Sequence, residues 1–164
     1  MEELYKEYSK LVYNYLHSLC GSHEIAEELT QETFYKAIAG IKNFRNDCRV
    51  SSWLCQIAKN LWKDYLRKEK KVKLIPIDDD SYIESLIIEK SLENHIEDRS
   101  EIVDLYKQIH KLDEKTKEVF LLRIKGELSF KEIGEILSKS EEWARITFYR
   151  GKIKLKEELD NDKK

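Results

Sequence analysis

The sequence predicts an all-α protein made of two small helical domains, joined by a flexible acidic linker. One proline and five glycines among 164 residues leave little material for tight β turns. Apolar side chains make up 41% of the chain, and they recur at spacings of three and four, the period of amphipathic helices. Acids outnumber bases over residues 72–99, whereas both flanks are slightly basic. This uneven charge predicts domains at residues 1–71 and 101–160, with a linker at 72–100.

Two amphipathic helices are predicted at the start of the chain. Residues 4–19 place apolar side chains along one side of the first helix. Ser22 or His23 precedes the second helix, at residues 23–39. We place Ile38 on its apolar side, and the opposite side carries a run of glutamates that makes it acidic.

A third helix is predicted after a polar, turn-rich loop. Ser51 or Ser52 can cap a helix at residues 53–68, because a serine hydroxyl accepts a hydrogen bond from a free N–H group of the first turn. The apolar stripe of this helix includes Leu54 and Leu61, and lysines and arginines on another side form a basic face.

The stretch between the predicted domains contains the chain's single proline and three consecutive aspartates at residues 78–80. A weak helical pattern covers residues 82–96. We interpret the stretch as a tether with a helix that is transient or is stabilised by a partner.

The second domain ends in the pattern of a helix-turn-helix. Ser129 and Glu132 have the S-x-x-E spacing of a capping box, in which each side chain accepts from the other residue's backbone N–H. Asp113 and Ser140 can cap further helices. The four predicted helices cover residues 102–112, 114–125, 130–137 and 141–159. A short helix, a brief turn and a longer helix are typical of this DNA-binding motif.

Residues 143–156, within the last predicted helix, contain five bases and no acid. The second helix of such a motif lies in the DNA major groove, where arginine binds guanine or phosphate through two hydrogen bonds. Arg145 and Arg150 suit this role, while Ile146, Ile153 and Leu155 are predicted to pack inward. The alternative is a solvated basic face that complements the helix dipole.

Longer strings resemble one family of transcription factors. EIAEELTQETFYKAI at residues 24–38, NFR at 43–45 and SSWLCQIAKNLWKDYLR at 51–67 closely resemble sigma region two of bacterial RNA polymerase sigma factors. They are similar to the extracytoplasmic-function (ECF) class of the sigma-70 family. Residues 112–159 resemble sigma region four of the same class. Two departures are Ser138, where many members have glycine, and Ile146, where many have serine.

The resemblance implies a role for three groups of residues. Those matching the surface that docks on the β′ clamp of core polymerase are Glu24, Glu27, Glu28, Gln31 and Glu32. Those matching the −10 promoter reader, which pockets a flipped base, are Asn46, Asp47, Arg49, Gln56, Lys59, Asn60, Lys63 and Arg67. Those matching the −35 reader are Arg145, Thr147, Tyr149, Arg150 and Lys152. Trp53 and Trp62 could stack on bases, although their spacing favours a core role.

The function implied is promoter-specific transcription initiation in the cytoplasm. The implied partners are core RNA polymerase, through its β′ clamp and β flap, promoter DNA and an anti-sigma factor, commonly membrane-anchored, that would hold the protein at the inner membrane face. The resemblance also indicates a cell-envelope stress response. Rival interpretations are a stand-alone helix-turn-helix regulator and a protein-binding adaptor.

No enzyme activity, cofactor, metal or small-molecule substrate is expected. The sequence has no glycine-rich phosphate loop and no G-x-S-x-G string, and its four histidines are isolated from one another. Its three cysteines form no C-x-x-C pair, which fits a reducing compartment.

Overall fold

The computed structural model of the chain describes residues 2–69 and 99–162. Within these ranges the chain forms seven α-helices, one short 3-10 helix and no strand, so the all-α prediction is confirmed. The α-helices are α1 (Glu2–Cys20), α2 (His23–Gly40), α3 (Val50–Lys68), α4 (Arg99–Lys111), α5 (Glu114–Ile124), α6 (Phe130–Leu137) and α7 (Glu141–Asp162). The acidic tether and the helical pattern predicted at residues 82–96 lie outside the described residues.

Helices α1, α2 and α3 pack against one another as an N-terminal group. Their buried side chains include Val12, Tyr15, Leu16, Ala26, Leu29, Phe34, Ala37, Leu54, Ala58 and Leu61. Burying one such aliphatic side chain contributes about 1.5–3 kcal/mol. Ile38 is an exception to the prediction, because it is 51% exposed. It lies about 100° around α2 from the buried Ala37, and this rotation turns it away from α1 and α3.

Helices α4 to α7 form a C-terminal group in which α7 packs against α4, α5 and α6. Its core includes Tyr106, Ile109, Leu112, Val119, Phe120, Leu122, Ile133, Ile136, Ala144 and Leu155. The residue at 151 has to be glycine for α7 to pack this close to α5. A Cβ atom there would lie 2.4 Å from Cε2 of Phe120 and 2.7 Å from Cγ2 of Thr116.

Two predicted caps, Asp113 and Ser140, are confirmed by hydrogen bonds at helix starts, and Ser22 forms a third cap that was predicted only to precede α2. The hydroxyl of Ser22 accepts from a backbone N–H at 3.4 Å, the carboxylate of Asp113 at 3.1 Å and the hydroxyl of Ser140 at 3.0 Å. The caps satisfy donors that have no partner within the helix, which fixes where α2, α5 and α7 begin.

The predicted cap of α3 is wrong. The helix begins at Val50, and the residue before it is Arg49, whose side chain makes no capping hydrogen bond. Ser51 and Ser52 therefore lie inside the first turn, and Ser52 is buried. The helix starts where the preceding loop ends. The prediction considered only the preference of serine for capping positions and not the conformation of that loop.

The two groups of helices also contact each other and share one apolar core. Helix α1 lies against α5, and α3 lies against α6. At position 126, between α5 and α6, a Cβ atom would lie 3.5 Å from the Sγ of the buried Cys55 on α3. The helix expected to face −10 DNA is therefore partly covered by the helix-turn-helix.

Replacing Ser138 by glycine should stabilise the protein by about 0.5–1 kcal/mol. Ser138 ends α6 with φ at 56° and ψ at 45°, a left-handed conformation that strains a residue with a Cβ atom. Glycine removes that strain, although it also makes the unfolded chain more flexible. Chemical denaturation with urea measures the difference. Ser140→Gly is the control, and it should lower stability by a few tenths of a kcal/mol through loss of the α7 cap. A Ser138→Gly protein no more stable than the parent would contradict the strain argument.

Candidate nucleic-acid interface

The helix-turn-helix is formed by α6, the turn at residues 138–140 and α7, at the positions that the sequence predicts. The Ser129 hydroxyl accepts from the Glu132 N–H at 3.2 Å, and the Glu132 Oε2 accepts from the Ser129 N–H at 2.8 Å. The predicted capping box is therefore confirmed. Gly134 allows the turn to fold back closely, because a Cβ atom there would lie 2.8 Å from the Lys139 carbonyl oxygen. These contacts fix the direction in which α7 leaves the turn.

An aromatic cluster under α7 holds the first arginine of this helix. The guanidinium of Arg123 lies 4.6 Å from the centre of the Phe130 ring, and that of Arg145 lies 5.6 Å from it. The ring of Phe148 packs 5.4 Å from Phe130. Arg145 also donates to the Glu141 carboxylate at 2.6 Å. Its side chain is thus held at the protein surface, close to the turn.

The structure exposes most of the residues that were predicted to read the −35 element. Arg145, Tyr149, Arg150 and Lys152 are exposed, whereas Thr147 is half-buried. The inward placement of Ile146 and Ile153 is wrong. They are 42% and 62% exposed, because Ala144, Gly151 and Leu155 occupy the buried side of α7.

A cavity of about 540 Å³ opens between α2, the loop that precedes α3, and α3 itself. Its lining includes the stacked rings of Phe44 and Trp53, whose centres lie 4.6 Å apart. The polar and charged side chains that line it are Lys36, Asn43, Arg45, Asp47, Gln56 and Asn60. This combination of aromatic and polar side chains would suit a planar base with hydrogen-bonding edges.

Only part of the predicted −10 set lines this cavity. Asp47, Gln56 and Asn60 do so, whereas Asn46 and Arg49 do not. Asn46 instead takes a left-handed turn conformation with φ at 56°. Lys36 and Arg45 also line the cavity but were not predicted to do so. Both are cations close to the loop in the sequence, and this proximity could have indicated them.

The remaining predicted −10 residues lie on α3. Gln56, Asn60, Lys63 and Arg67 are exposed at spacings of three and four, so they share one face. Lys59 departs from this arrangement, because its side chain is buried. Its Nζ donates to the Ile136 carbonyl oxygen, at the end of α6, at 3.4 Å.

Several charges connect α3 and its preceding loop to the second group of helices. Burial lowers the pKa of the Lys59 ammonium, and the Glu118 carboxylate on α5 opposes that change. The Arg49 Nε lies 3.8 Å from the Glu132 Oε1. Burial raises the pKa of the Cys48 thiol, and nearby carboxylates, including Glu132, add to the effect. Opposite charges therefore face each other where α3 and its preceding loop contact α5 and α6. We call this contact between the two groups of helices the seam.

The outer face of α2 is acidic and is extended by two apolar side chains. The five residues predicted to bind polymerase are all exposed: Glu24, Glu27, Glu28, Gln31 and Glu32. Beyond them lie Tyr35 and Ile38, which are 74% and 51% exposed and were not predicted for this surface. The period of the helix could have indicated Tyr35, because it follows Gln31 by one turn.

Other kinds of site are not found in the part of the chain that the structure describes. No group of three or more histidine, cysteine or acidic side chains is placed to bind a metal ion there. None of the helices in that part is both long and apolar enough to span a membrane.

A helical bundle with an acidic face and an open cavity, coupled to a helix-turn-helix, has the organisation expected of a DNA-binding transcription factor. Two family models extend this conclusion. The model for Sigma-70 region 2 matches residues 4–72, and the model for Sigma-70, region 4 matches residues 102–155. The chain belongs to the sigma-70 family of RNA polymerase sigma factors and to its ECF class. Members of this family are transcription initiation factors.

Curated relatives and solved structures agree with this assignment. The RNA polymerase sigma factor YlaC of Bacillus subtilis (strain 168) is 28% identical over 97% of this chain and 91% of its own length. The ECF RNA polymerase sigma factor SigM of the same organism is 29% identical over 95% and 93%.

Two solved structures share the fold. One, of CnrH in complex with the cytosolic domain of CnrY, has a TM-score of 0.69 at 20% identity, over 98% of this chain and 88% of that one. The other, of the sigma factor RpoE with the anti-sigma factor NepR from Bartonella quintana, has a TM-score of 0.68 at 19% identity, over 98% of both chains.

Proposed function

We propose that this chain binds core RNA polymerase and directs it to promoters by recognising −10 and −35 elements. The observation that carries the proposal is the cavity beside α3, which is lined by aromatic and polar side chains and lies next to the exposed Lys63 and Arg67 of α3. A single-stranded segment needs both features, because its backbone is anionic and its bases must leave the stack to be read.

Each of the two predicted domains has a separate role in this proposal. Residues 1–71 act as sigma region two, docking the acidic face of α2 on the polymerase β′ clamp and capturing the −10 strand. Residues 101–160 act as sigma region four, in which α7 enters the −35 major groove and the domain contacts the β flap. Residues 72–100 connect them. Polymerase performs the chemistry, so the chain itself is no enzyme.

The cavity is the proposed acceptor for a flipped −10 base. Extruding a base costs a few kcal/mol of unstacking, which stacking and hydrogen bonds in a fitted pocket can offset. Asp47, Gln56 and Asn60 supply polar groups to the lining of the cavity, while Trp53 supplies an aromatic ring on which a base can stack. Lys63 and Arg67 would then contact the phosphates that follow the flipped base.

Regulation by an anti-sigma factor is the second part of the proposal. Of the two solved structures described above, one is a complex with the anti-sigma factor NepR and the other is a complex with the cytosolic domain of CnrY. These complexes support an anti-sigma partner here. A membrane-anchored anti-sigma factor would keep the protein at the inner face of the membrane until a cell-envelope stress releases it. The protein would then act in the cytoplasm.

Run-off transcription on fragments of the source genome tests the function. Purified core polymerase is assayed with and without the protein, and the start sites are mapped. Discrete starts that need the protein and share two upstream elements are expected. Their absence, with active polymerase and folded protein, would favour a stand-alone helix-turn-helix regulator, and a polymerase pull-down would then separate the two.

In the free protein the −10 surface is partly closed by α6. Lys59 and Cys55 are buried at this seam, and Arg49 faces Glu132 across it. Contact of the −10 strand with Lys59, in addition to the exposed residues of α3, therefore requires the two groups of helices to separate. Because the closed fraction cannot make this contact, the apparent affinity of the free protein for −10 DNA is reduced.

Glu118→Lys should open the seam and raise the affinity of the free protein for a −10 oligonucleotide about fivefold. A lysine at position 118 repels Lys59 instead of attracting it, a change of about 1 kcal/mol, because Glu118 itself is partly exposed to solvent. Fluorescence anisotropy with a labelled single strand measures the affinity, and the reaction rate of the Cys55 thiol with a maleimide reports opening without DNA.

Glu114→Lys is the matched control, since it makes the same charge change on the outer side of α5, where Glu114 pairs with Lys117 at 3.1 Å. Equal tightening by both variants would show a general charge effect. Unchanged Cys55 reactivity in Glu118→Lys would contradict a closed seam.

A further inference from the structure

A row of apolar side chains runs along an exposed line of α7. Ile146, Tyr149 and Ile153 are 42%, 51% and 62% exposed and follow one another at spacings of three and four. The buried residues Ala144 and Leu155 lie on the opposite side. We call Ile146, Tyr149 and Ile153 the α7 seam. Exposed apolar side chains aligned in this way usually mark a contact surface.

Two rows of cations flank the α7 seam. At 100° per residue, one row lies on the side that faces α6, and the other lies on the opposite flank. The first row contains Arg145, Lys152 and Lys156, and the second contains Arg150 and Lys154, all of them exposed. A line of apolar groups between two basic rows complements the major groove, whose walls carry phosphates and whose floor presents base edges.

Within that groove, the apolar group available on a base edge is the C5-methyl of thymine. Ile146 lies in the second turn of α7, and it is the N-terminal part of a recognition helix that reaches base edges. Its side chain can neither donate nor accept a hydrogen bond. The neighbouring Arg145 is held in place by the Glu141 carboxylate and the Phe130 ring, which limits the motion of the residue next to Ile146.

We propose that Ile146 selects a thymine in the −35 element through van der Waals contact with its C5-methyl group. The proposal rests on the proposed function, since it needs α7 to enter the −35 duplex. It adds one specificity-determining residue and the chemical group that this residue reads. A hydrophilic side chain at 146 would lose this selection, because it would leave the methyl group facing a polar partner.

The test uses reconstituted polymerase holoenzyme and the promoter found by run-off transcription. Each thymine of the −35 duplex is replaced in turn by deoxyuridine, which removes one methyl group and leaves base pairing intact. Holoenzyme with the parent chain should bind about fourfold more weakly at one position, the value of one buried methyl group. With Ile146→Ala, the same replacement should have no effect. With Ile146→Val or Ile153→Ala, the loss should remain.

The outcomes separate this proposal from the function on which it rests. Specific promoter binding that is insensitive to deoxyuridine at every position overturns the role of Ile146 and leaves the function intact. A deoxyuridine penalty that persists in Ile146→Ala assigns the methyl contact to another residue and also overturns it. Loss of all −35 specificity in the parent holoenzyme would instead refute the proposed function.

Discussion

Combining Arg145→Ala with Arg150→Ala should abolish −35-dependent promoter binding by the holoenzyme. Each arginine that binds a base through two hydrogen bonds contributes about 1–3 kcal/mol of discrimination, so the pair together contributes about 2–6 kcal/mol. Arg145 is held at the surface by Glu141 and by the Phe130 ring, which reduces the entropy lost on binding. Electrophoretic mobility shifts with the parent −35 element and a scrambled one measure the loss.

The matched control removes two exposed cations that belong to α4 and α5 and not to α7. Lys111 and Lys115 are exposed, so Lys111→Ala with Lys115→Ala makes the same change in net charge. This control should bind the parent promoter within about twofold of the unmodified holoenzyme. If both double variants lose the same amount of promoter binding, the arginines of α7 act only through general electrostatic attraction. If Arg150→Ala alone weakens all −35 sequences equally, Arg150 contacts phosphate and not a base.

Local chemistry explains which parts of the fold the sequence predicts well. The capping box of Ser129 and Glu132 and the cap at Ser140 involve residues three positions apart, so their hydrogen bonds can be inferred from spacing. They fix α6 and α7 at the predicted starts. The acidic face of α2 is similarly predictable, because helical period alone determines which side its glutamates share.

Contacts between distant residues explain the errors. Lys59 follows the pattern of an exposed basic face, yet α6 covers it, and the contact with Ile136 joins residues 77 positions apart. Ile146 and Ile153 are apolar and were assigned to the core, although the buried side of α7 is already filled by small residues at 144 and 151. The cavity beside α3 combines side chains from a helix, a loop and a second helix, so spacing in one segment cannot predict its full lining.

Core RNA polymerase should bind Glu32→Lys at least about tenfold more weakly than the parent chain. Glu32 lies on the exposed face of α2, where its Oε1 is 4.0 Å from the Nζ of Lys36. Reversing the charge at position 32 turns an attraction for a basic docking surface into a repulsion. The same change places two lysines one turn apart, which costs α2 only a few tenths of a kcal/mol, so the variant should fold.

Surface plasmon resonance with immobilised core enzyme measures the affinity, and Glu3→Lys is the control, because it makes the same reversal at an exposed position of α1. Docking through α2 also predicts that Tyr35→Ala weakens binding, since its largely exposed ring would bury apolar area against the partner. Electrostatic docking should weaken with salt in the parent chain and less so in Glu32→Lys. Equal affinities for Glu32→Lys and Glu3→Lys would move the polymerase contact to another face of the protein.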